Sequence, residues 1–88
     1  MDKMILIVDD ELGIRELLRE CLEDEGYVVK LAENALEADK IVKEQRFDLI
    51  LMDVWLPDMD GVSLFKRFLS NGITTPVIMM SGHASITS

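Results

Sequence analysis

Three uninterrupted apolar runs, each followed directly by an oxygen-bearing side chain, constrain the fold of this chain more than any other feature of its sequence. The runs occupy residues 4–8 (MILIV), 49–52 (LILM) and 77–80 (VIMM), and they are followed by Asp9, Asp53 and Ser81. Apolar runs without alternation are typical of strands buried on both faces, as in parallel sheets. The pattern therefore predicts a parallel sheet whose strands end in polar groups.

Helical patterns separate these predicted strands. Residues 12–25 carry apolar side chains on one helical face, which includes Cys21, and Gly26 ends that helix. We therefore expect Cys21 to be a buried core thiol. A partly exposed strand is predicted over residues 27–31.

A second helix is predicted from Asn34, whose side chain can cap the free backbone N–H groups, with Glu37 three residues on. A third helix is predicted over residues 62–69, and a further one begins near Ser85. The order β-α-β-α-β-α-β predicts a doubly wound α/β fold, with a parallel sheet and helices on both faces.

Composition limits the classes of function. The chain has 88 residues, 49% of them hydrophobic and 30% charged, which is typical of one globular domain. Its net charge of -8 repels nucleic-acid phosphates, so we expect no direct nucleic-acid binding. No basic leader precedes an apolar segment, and no apolar run approaches the roughly 20 residues that span a bilayer. We therefore expect a cytoplasmic protein without membrane contact.

The strand ends predict where the chemistry lies. In an open α/β sheet, ligands bind beyond the carboxyl ends of the strands, where the strand order reverses. If the three apolar strands are neighbours, Asp9, Asp10, Asp53 and Ser81 converge there. Clustered carboxylates repel one another, and an all-oxygen ligand set without His or Cys suits Mg²⁺. A carboxylate beside Mg²⁺ can attack phosphorus and form an acyl phosphate.

These motifs resemble the receiver (CheY-like) domain of two-component response regulators. The resemblance covers the whole chain and rests on four segments: residues 6–11 (LIVDDE), 49–53 (LILMD), 56–61 (LPDMDG) and 76–82 (PVIMMSG). It implies a flavodoxin-like sheet of order 2-1-3-4-5, of which this chain would supply 2-1-3-4. The SGH after the fourth predicted strand is similar to receivers of the nitrogen-regulation class of transcriptional activators.

The resemblance also implies roles for individual residues. Asp53 would be the phosphoacceptor and Ser81 the switch hydroxyl. Asp10, Asp53 and the backbone carbonyl of Trp55 would bind Mg²⁺ directly, and Asp9 would act through water. A sensor histidine kinase would donate the phosphoryl group, and the conformational switch would control an output such as transcription. The chain would not be an enzyme, since the carboxylate it modifies is its own.

The sequence departs from the family at its far end. Residues 1–88 would form a truncated receiver domain that lacks most of the fourth helix, the fifth strand, the fifth helix and the family's lysine after that strand. Output domains or DNA contacts would then depend on segments outside this chain. If the chain is truly truncated there, the exposed edge of the fourth strand would allow a homodimer or domain swapping. An alternative function is therefore a receiver-like dimerisation or interaction fragment that binds metal without completing the switch.

Two further functions fit less well. A phosphatase of the haloacid dehalogenase type needs an aspartate two residues after its nucleophile, whereas Trp55 stands in that place after Asp53. A dinucleotide-binding domain needs a glycine-rich turn after its first strand, whereas this chain has residues 9–11 (DDE) there. The sequence therefore favours the signalling function over both.

Overall fold

The computed structural model describes residues 2–81 and contains four strands and three helices in strict alternation. The elements are β1 (Met4–Val8), α1 (Leu12–Asp24), β2 (Val28–Ala32), α2 (Ala35–Glu44), β3 (Leu49–Asp53), α3 (Gly61–Ser70) and β4 (Val77–Met80). The predicted elements are present in the predicted order, with ends that differ by one or two residues. The helix expected near Ser85 lies outside the described residues.

The four strands form one parallel sheet in the order β2-β1-β3-β4, as predicted. β1 lies between β2 and β3, so the direction of strand progression reverses there. In the registers of the sheet, Val8 pairs with Met52 and Asp53 pairs with Met80. The carboxyl ends of β1, β3 and β4 therefore lie side by side at one edge of the sheet.

Continuous apolar strands are buried because helices cover both faces of the sheet. Leu6, Ile7 and Val8 of β1 are fully buried, and Leu64 and Phe68 of α3 pack into the same core as the sheet. Burying a side chain of this size contributes about 1.5–3 kcal/mol to the free energy of unfolding. β1 therefore contributes strongly to the stability of the sheet. None of the helices within residues 2–81 is long and apolar enough to cross a membrane.

The prediction that Cys21 is buried is wrong. Its side chain is exposed, and α1 has no fully buried residue. α1 lies chiefly against β1 and β2, and Leu17 is exposed like Cys21, so the described residues leave this part of α1 uncovered. Helical periodicity predicts which side of a helix is apolar, but it does not say whether a neighbour covers that side.

The amino-terminal end of α2 is capped from two places. Asn34 caps the helix as predicted, since its Oδ1 accepts a hydrogen bond from the Glu37 N–H at 2.8 Å. Asp58, from the loop between β3 and α3, accepts the N–H groups of Ala35 and Leu36, each at 2.9 Å. Both of these amides are otherwise unpaired at a helix start. Asp58 therefore fastens the β3–α3 loop to α2.

Replacing Asp58 with alanine is expected to lower the free energy of unfolding by about 1 kcal/mol, the usual contribution of a capping side chain. Partial burial raises the pKa of Asp58, but the backbone donors of α2 outweigh it, so the pKa lies below its usual value. A lowered carboxyl pKa gives stability that is present above the unfolded-state pKa and is lost on acidification. The difference between wild type and variant should therefore shrink below about pH 4.

Urea unfolding at pH 7 and at pH 3 measures both effects. Asp24→Ala is the matched control, because Asp24 accepts no side-chain hydrogen bond within residues 2–81 and lies at the end of α1. A loss of stability equal to that of the control at pH 7 would contradict the capping role of Asp58.

Candidate functional site

Three carboxylates meet at the carboxyl edge of the sheet. Asp9 and Asp10 follow β1 and Asp53 ends β3, and one oxygen from each lies within 4.8 Å of the others. Asp9 and Asp53 are buried, at 5% and 7% exposure, whereas Asp10 is exposed. The structure thus brings together the three aspartates that the sequence predicted as neighbours.

Asp9 is held at the end of β1 by its own turn. Its backbone N–H donates to the Ala32 carbonyl of β2 at 3.0 Å, and its Oδ1 accepts the Glu11 N–H at 2.9 Å. Burial raises the pKa of Asp9, and the negative charges of Asp53 and Asp10 raise it further against the lowering effect of the Glu11 hydrogen bond. Burial and the acidic neighbours therefore both disfavour the charged form of Asp9.

Asp53 is oriented by the loop that follows it. Its Oδ1 accepts the backbone N–H of Trp55 at 3.0 Å, and the loop closes through a hydrogen bond of 2.7 Å from the Gly61 N–H to the Val54 carbonyl. Oδ2 of Asp53 accepts no hydrogen bond from residues 2–81. One carboxylate oxygen therefore fixes the side chain, and the other is free to face the cluster.

Gly61 lies directly against the backbone of Asp53. A Cβ atom at this position would stand 2.7 Å from the Asp53 carbonyl oxygen and 3.0 Å from the Val54 Cα. Both distances are shorter than the 3.5–4.0 Å at which non-bonded atoms attract. Only glycine lets the start of α3 come this close to the end of β3.

The other two aspartates of the β3–α3 loop have structural partners. Asp58 caps α2, and Asp60 caps α3 by accepting the Ser63 N–H and the Ser63 hydroxyl, each at 2.8 Å. These Ser63 hydrogen bonds lower the pKa of Asp60. Neither carboxylate belongs to the cluster, although the sequence motif places both close to Asp53.

Ser81 follows β4 directly and is exposed. The neighbouring Met80 pairs with Asp53 in the sheet, and its carbonyl accepts the Val54 N–H at 3.0 Å. Ser81 therefore lies beside the end of β3, on the same edge as the cluster. The Trp55 side chain is exposed, and its backbone N–H donates the hydrogen bond to Asp53.

Sequence reasoning missed Arg15. This residue of α1 is largely buried, and its Nη1 donates to the Asp9 carbonyl at 2.8 Å. Its position on α1, six residues after Asp9, is the signal that could have revealed it, since the first turn of a helix after β1 faces back toward the strand end.

The donor set fits a hard divalent cation. All three ligand groups are carboxylates whose oxygens already lie within reach of one ion, and two of them are buried. Carboxylate oxygens supplemented by water are what Mg²⁺ prefers. Burial first, and then the negative charges of Asp53 and Asp10, raise the pKa of Asp9, and a bound cation would offset both effects. The ligand groups already present are therefore of the kind that Mg²⁺ binds.

A parallel sheet of order 2-1-3-4 with flanking helices and an acidic cluster at its carboxyl edge defines a flavodoxin-like α/β domain of the CheY-like class. Within that class, the chain belongs to the response regulator receiver domain family, whose model matches residues 5–88. Receiver domains are signalling domains that take part in phosphotransfer and bind Mg²⁺ in an acidic pocket.

Individual relatives agree with this assignment. The chain is 42% identical over 86 residues to sporulation initiation phosphotransferase F of Bacillus subtilis, covering 98% of the chain and 69% of that protein. It is 38% identical to a putative NtrX-like response regulator of Rickettsia bellii, covering 93% of the chain and 18% of that protein. The second match is consistent with the nitrogen-regulation resemblance without deciding it. The chain thus spans far less than two thirds of some curated relatives.

A solved structure with a bound ligand is also similar. The response regulator protein TrrA from Thermotoga maritima, in complex with Mg(2+)-BeF, superposes with a TM-score of 0.87 at 34% identity. The match covers 97% of this chain and 74% of that chain. The similarity therefore extends over the strands that carry the acidic cluster.

Proposed function

We propose that this chain is the phosphoacceptor part of a response regulator and that Asp53 accepts the phosphoryl group from a sensor histidine kinase in a Mg²⁺-dependent reaction. The observation that carries the proposal is the cluster of Asp9, Asp10 and Asp53, in which Asp53 is buried, oriented and left with one free oxygen. The switch would control an output such as transcription through segments outside residues 1–88, which would form the amino-terminal part of the receiver domain.

The chemistry that these residues support is an in-line displacement. The free oxygen of Asp53 forms a bond to phosphorus as the bond from phosphorus to the kinase histidine breaks, and the leaving imidazole keeps the electron pair. The Trp55 N–H holds the other oxygen at 3.0 Å and so limits the rotation of the carboxylate. Such positioning supplies much of the acceleration in phosphoryl transfer.

The remaining polar groups have supporting roles in this proposal. Mg²⁺, when bound, would neutralise charge on the incoming phosphoryl group. Asp10 and Asp53 would hold it directly with the Trp55 backbone carbonyl, and Asp9 would act through water. Ser81 would donate its hydroxyl to a phosphoryl oxygen, which the position of this residue beside the end of β3 supports.

Incubation of the intact protein with acetyl phosphate and Mg²⁺, followed by mass spectrometry, tests the proposal. We expect a gain of one phosphoryl group that disappears when EDTA is added before the phosphodonor. Mg²⁺ binding without any gain of mass would contradict it and would favour the dimerisation or interaction function instead.

Replacing Asp10 with asparagine is expected to weaken Mg²⁺ binding at least tenfold, because it removes a charged ligand from a small, hard cation. Isothermal titration with MgCl₂ measures the change. Asp60→Asn is the matched control, since Asp60 caps α3 and lies outside the cluster. Equal Mg²⁺ affinity in the two variants would show that Asp10 is not a ligand.

A further inference from the structure

We propose that Arg15 is a positioning residue for the acidic cluster and that it orients the Asp9–Asp10 peptide through the Asp9 carbonyl. The inference rests on the proposed function, because its consequence is measured at the proposed Mg²⁺ site. Arg15 lies in the first part of α1, and its side chain is only 11% exposed. Its Nη1 donates to the Asp9 carbonyl oxygen at 2.8 Å.

The Asp9 carbonyl needs this donor because the sheet ends there. The last hydrogen bond from β1 to β2 runs from the Asp9 N–H to the Ala32 carbonyl. Beyond it the chain turns away into α1. Asp9 is buried, and its carbonyl therefore has no hydrogen-bond donor from a neighbouring strand. Buried carbonyls are nearly always paired, and the guanidinium of Arg15 provides the partner.

Fixing this carbonyl also fixes the start of Asp10. The six atoms of a peptide unit lie in one plane, so the direction of the Asp9 carbonyl sets the direction of the Asp10 N–H and the position of its Cα. Asp10 is exposed, and its side chain makes no hydrogen bond or ion pair with residues 2–81. Its approach to Asp9 and Asp53 therefore depends on the backbone that Arg15 holds.

The ion pair of Arg15 is a weaker explanation for its position. Glu33 lies 3.7 Å from Nη2, but its side chain is 61% exposed. Exposed pairs at this separation contribute little, because solvent screens them. The hydrogen bond to the Asp9 carbonyl is shorter and more buried, so we assign the role of Arg15 to the carbonyl rather than to Glu33.

Positioning and charge predict opposite results for Mg²⁺ binding. The guanidinium is a cation close to the cluster. If its charge were all that mattered, removing it should tighten the binding of Mg²⁺. If Arg15 orients the peptide, its removal should weaken binding, because Asp10 loses its preferred position. Replacing a group that orients a metal ligand typically weakens metal binding by roughly 10- to 100-fold.

We expect Arg15→Met to weaken Mg²⁺ binding roughly tenfold in isothermal titration of the intact protein, at the lower end of such effects. Arg19→Met is the matched control, because Arg19 lies one turn further along α1, is half-exposed and pairs with Glu16 away from the cluster. It should bind Mg²⁺ like wild type. Unchanged or tighter binding in Arg15→Met would overturn the inference, including when its thermal stability falls.

Backbone hydrogen exchange separates this inference from the proposed function. In metal-free protein, the Glu11 N–H is protected by its bond to Asp9 Oδ1. We expect Glu11 to exchange several-fold faster in Arg15→Met than in Arg19→Met, because the turn loses its anchor. Equal exchange rates would overturn the positioning role. Failure of wild type to bind Mg²⁺ would instead count against the proposed function. The exchange rates of the metal-free variants would still test the positioning role of Arg15.

Discussion

Asp53→Asn is expected to abolish phosphorylation of the chain by acetyl phosphate and Mg²⁺. An amide lacks the anionic oxygen that would form the acyl phosphate, while its size and its hydrogen bond to the Trp55 N–H are retained. Intact-mass spectrometry should detect no phosphoryl group on the variant under conditions that modify wild type. The expected effect is a complete loss, because the proposal makes Asp53 the acceptor of the phosphoryl group and assigns Asp9 and Asp10 to the Mg²⁺ site.

Two comparisons make this result specific. Asp24→Asn removes one carboxylate from the end of α1, far from the cluster in sequence and outside it in the structure, and should be phosphorylated like wild type. Asp53→Asn should also be more stable than wild type without Mg²⁺, because the charge of Asp53 helps to raise the pKa of Asp9. Phosphorylation of Asp53→Asn at the wild-type rate would refute the assignment of Asp53.

The stability gain has a definite pH dependence. A carboxyl group whose folded-state pKa is raised favours the folded protein at low pH and loses that contribution as pH rises through the raised pKa. Asp9 is such a group, through burial first and then through the charges of its neighbours. The advantage of Asp53→Asn over wild type should therefore be largest above the pKa of Asp9 and should shrink on acidification.

The sheet could be predicted from sequence because its strands are continuous apolar runs. β1 and β4 have the predicted bounds, and the order β2-β1-β3-β4 was implied by the receiver resemblance. Strands buried on both faces leave a simple pattern, since every position in the strand must be apolar. The clustering of Asp9, Asp10 and Asp53 then follows from the shared edge of parallel strands.

What the sequence did not predict depends on contacts between elements that are distant along the chain. Asp58 reads as a turn residue, yet it caps α2, 22 and 23 residues away. Asp39 of α2, which the sequence did not single out, is buried and pairs with Lys43 at 3.1 Å and Arg67 of α3 at 3.3 Å. No local pattern distinguishes such a carboxylate from a solvated one.

Cys21 shows the opposite error. Its position on an apolar helical face predicted burial, but its side chain is exposed and no residue of α1 is buried. Periodicity reports which side of a helix is apolar, whereas burial depends on the neighbours that cover it.

Gly61→Ala is expected to destabilise the protein by about 1–3 kcal/mol, the usual cost of forcing an extra carbon into a packed site. The new Cβ would stand 2.7 Å from the Asp53 carbonyl oxygen, and both contacting atoms belong to the backbone, so no side chain can turn aside to make room. The start of α3 or the end of β3 must shift. A shift of β3 would move Asp53 itself, so Mg²⁺ affinity should fall as well.

Gly13→Ala provides the matched comparison, because it adds the same carbon to a glycine with nothing within 4 Å of the new atom. Gly13 lies within α1, where alanine is favoured over glycine by about 0.5–1 kcal/mol. Urea unfolding should therefore show the two variants moving in opposite directions from wild type, and only Gly61→Ala should bind Mg²⁺ more weakly. Stabilisation by both substitutions would mean that α3 can move away from Asp53 at little cost, and that the close approach at Gly61 does not determine the geometry of the site.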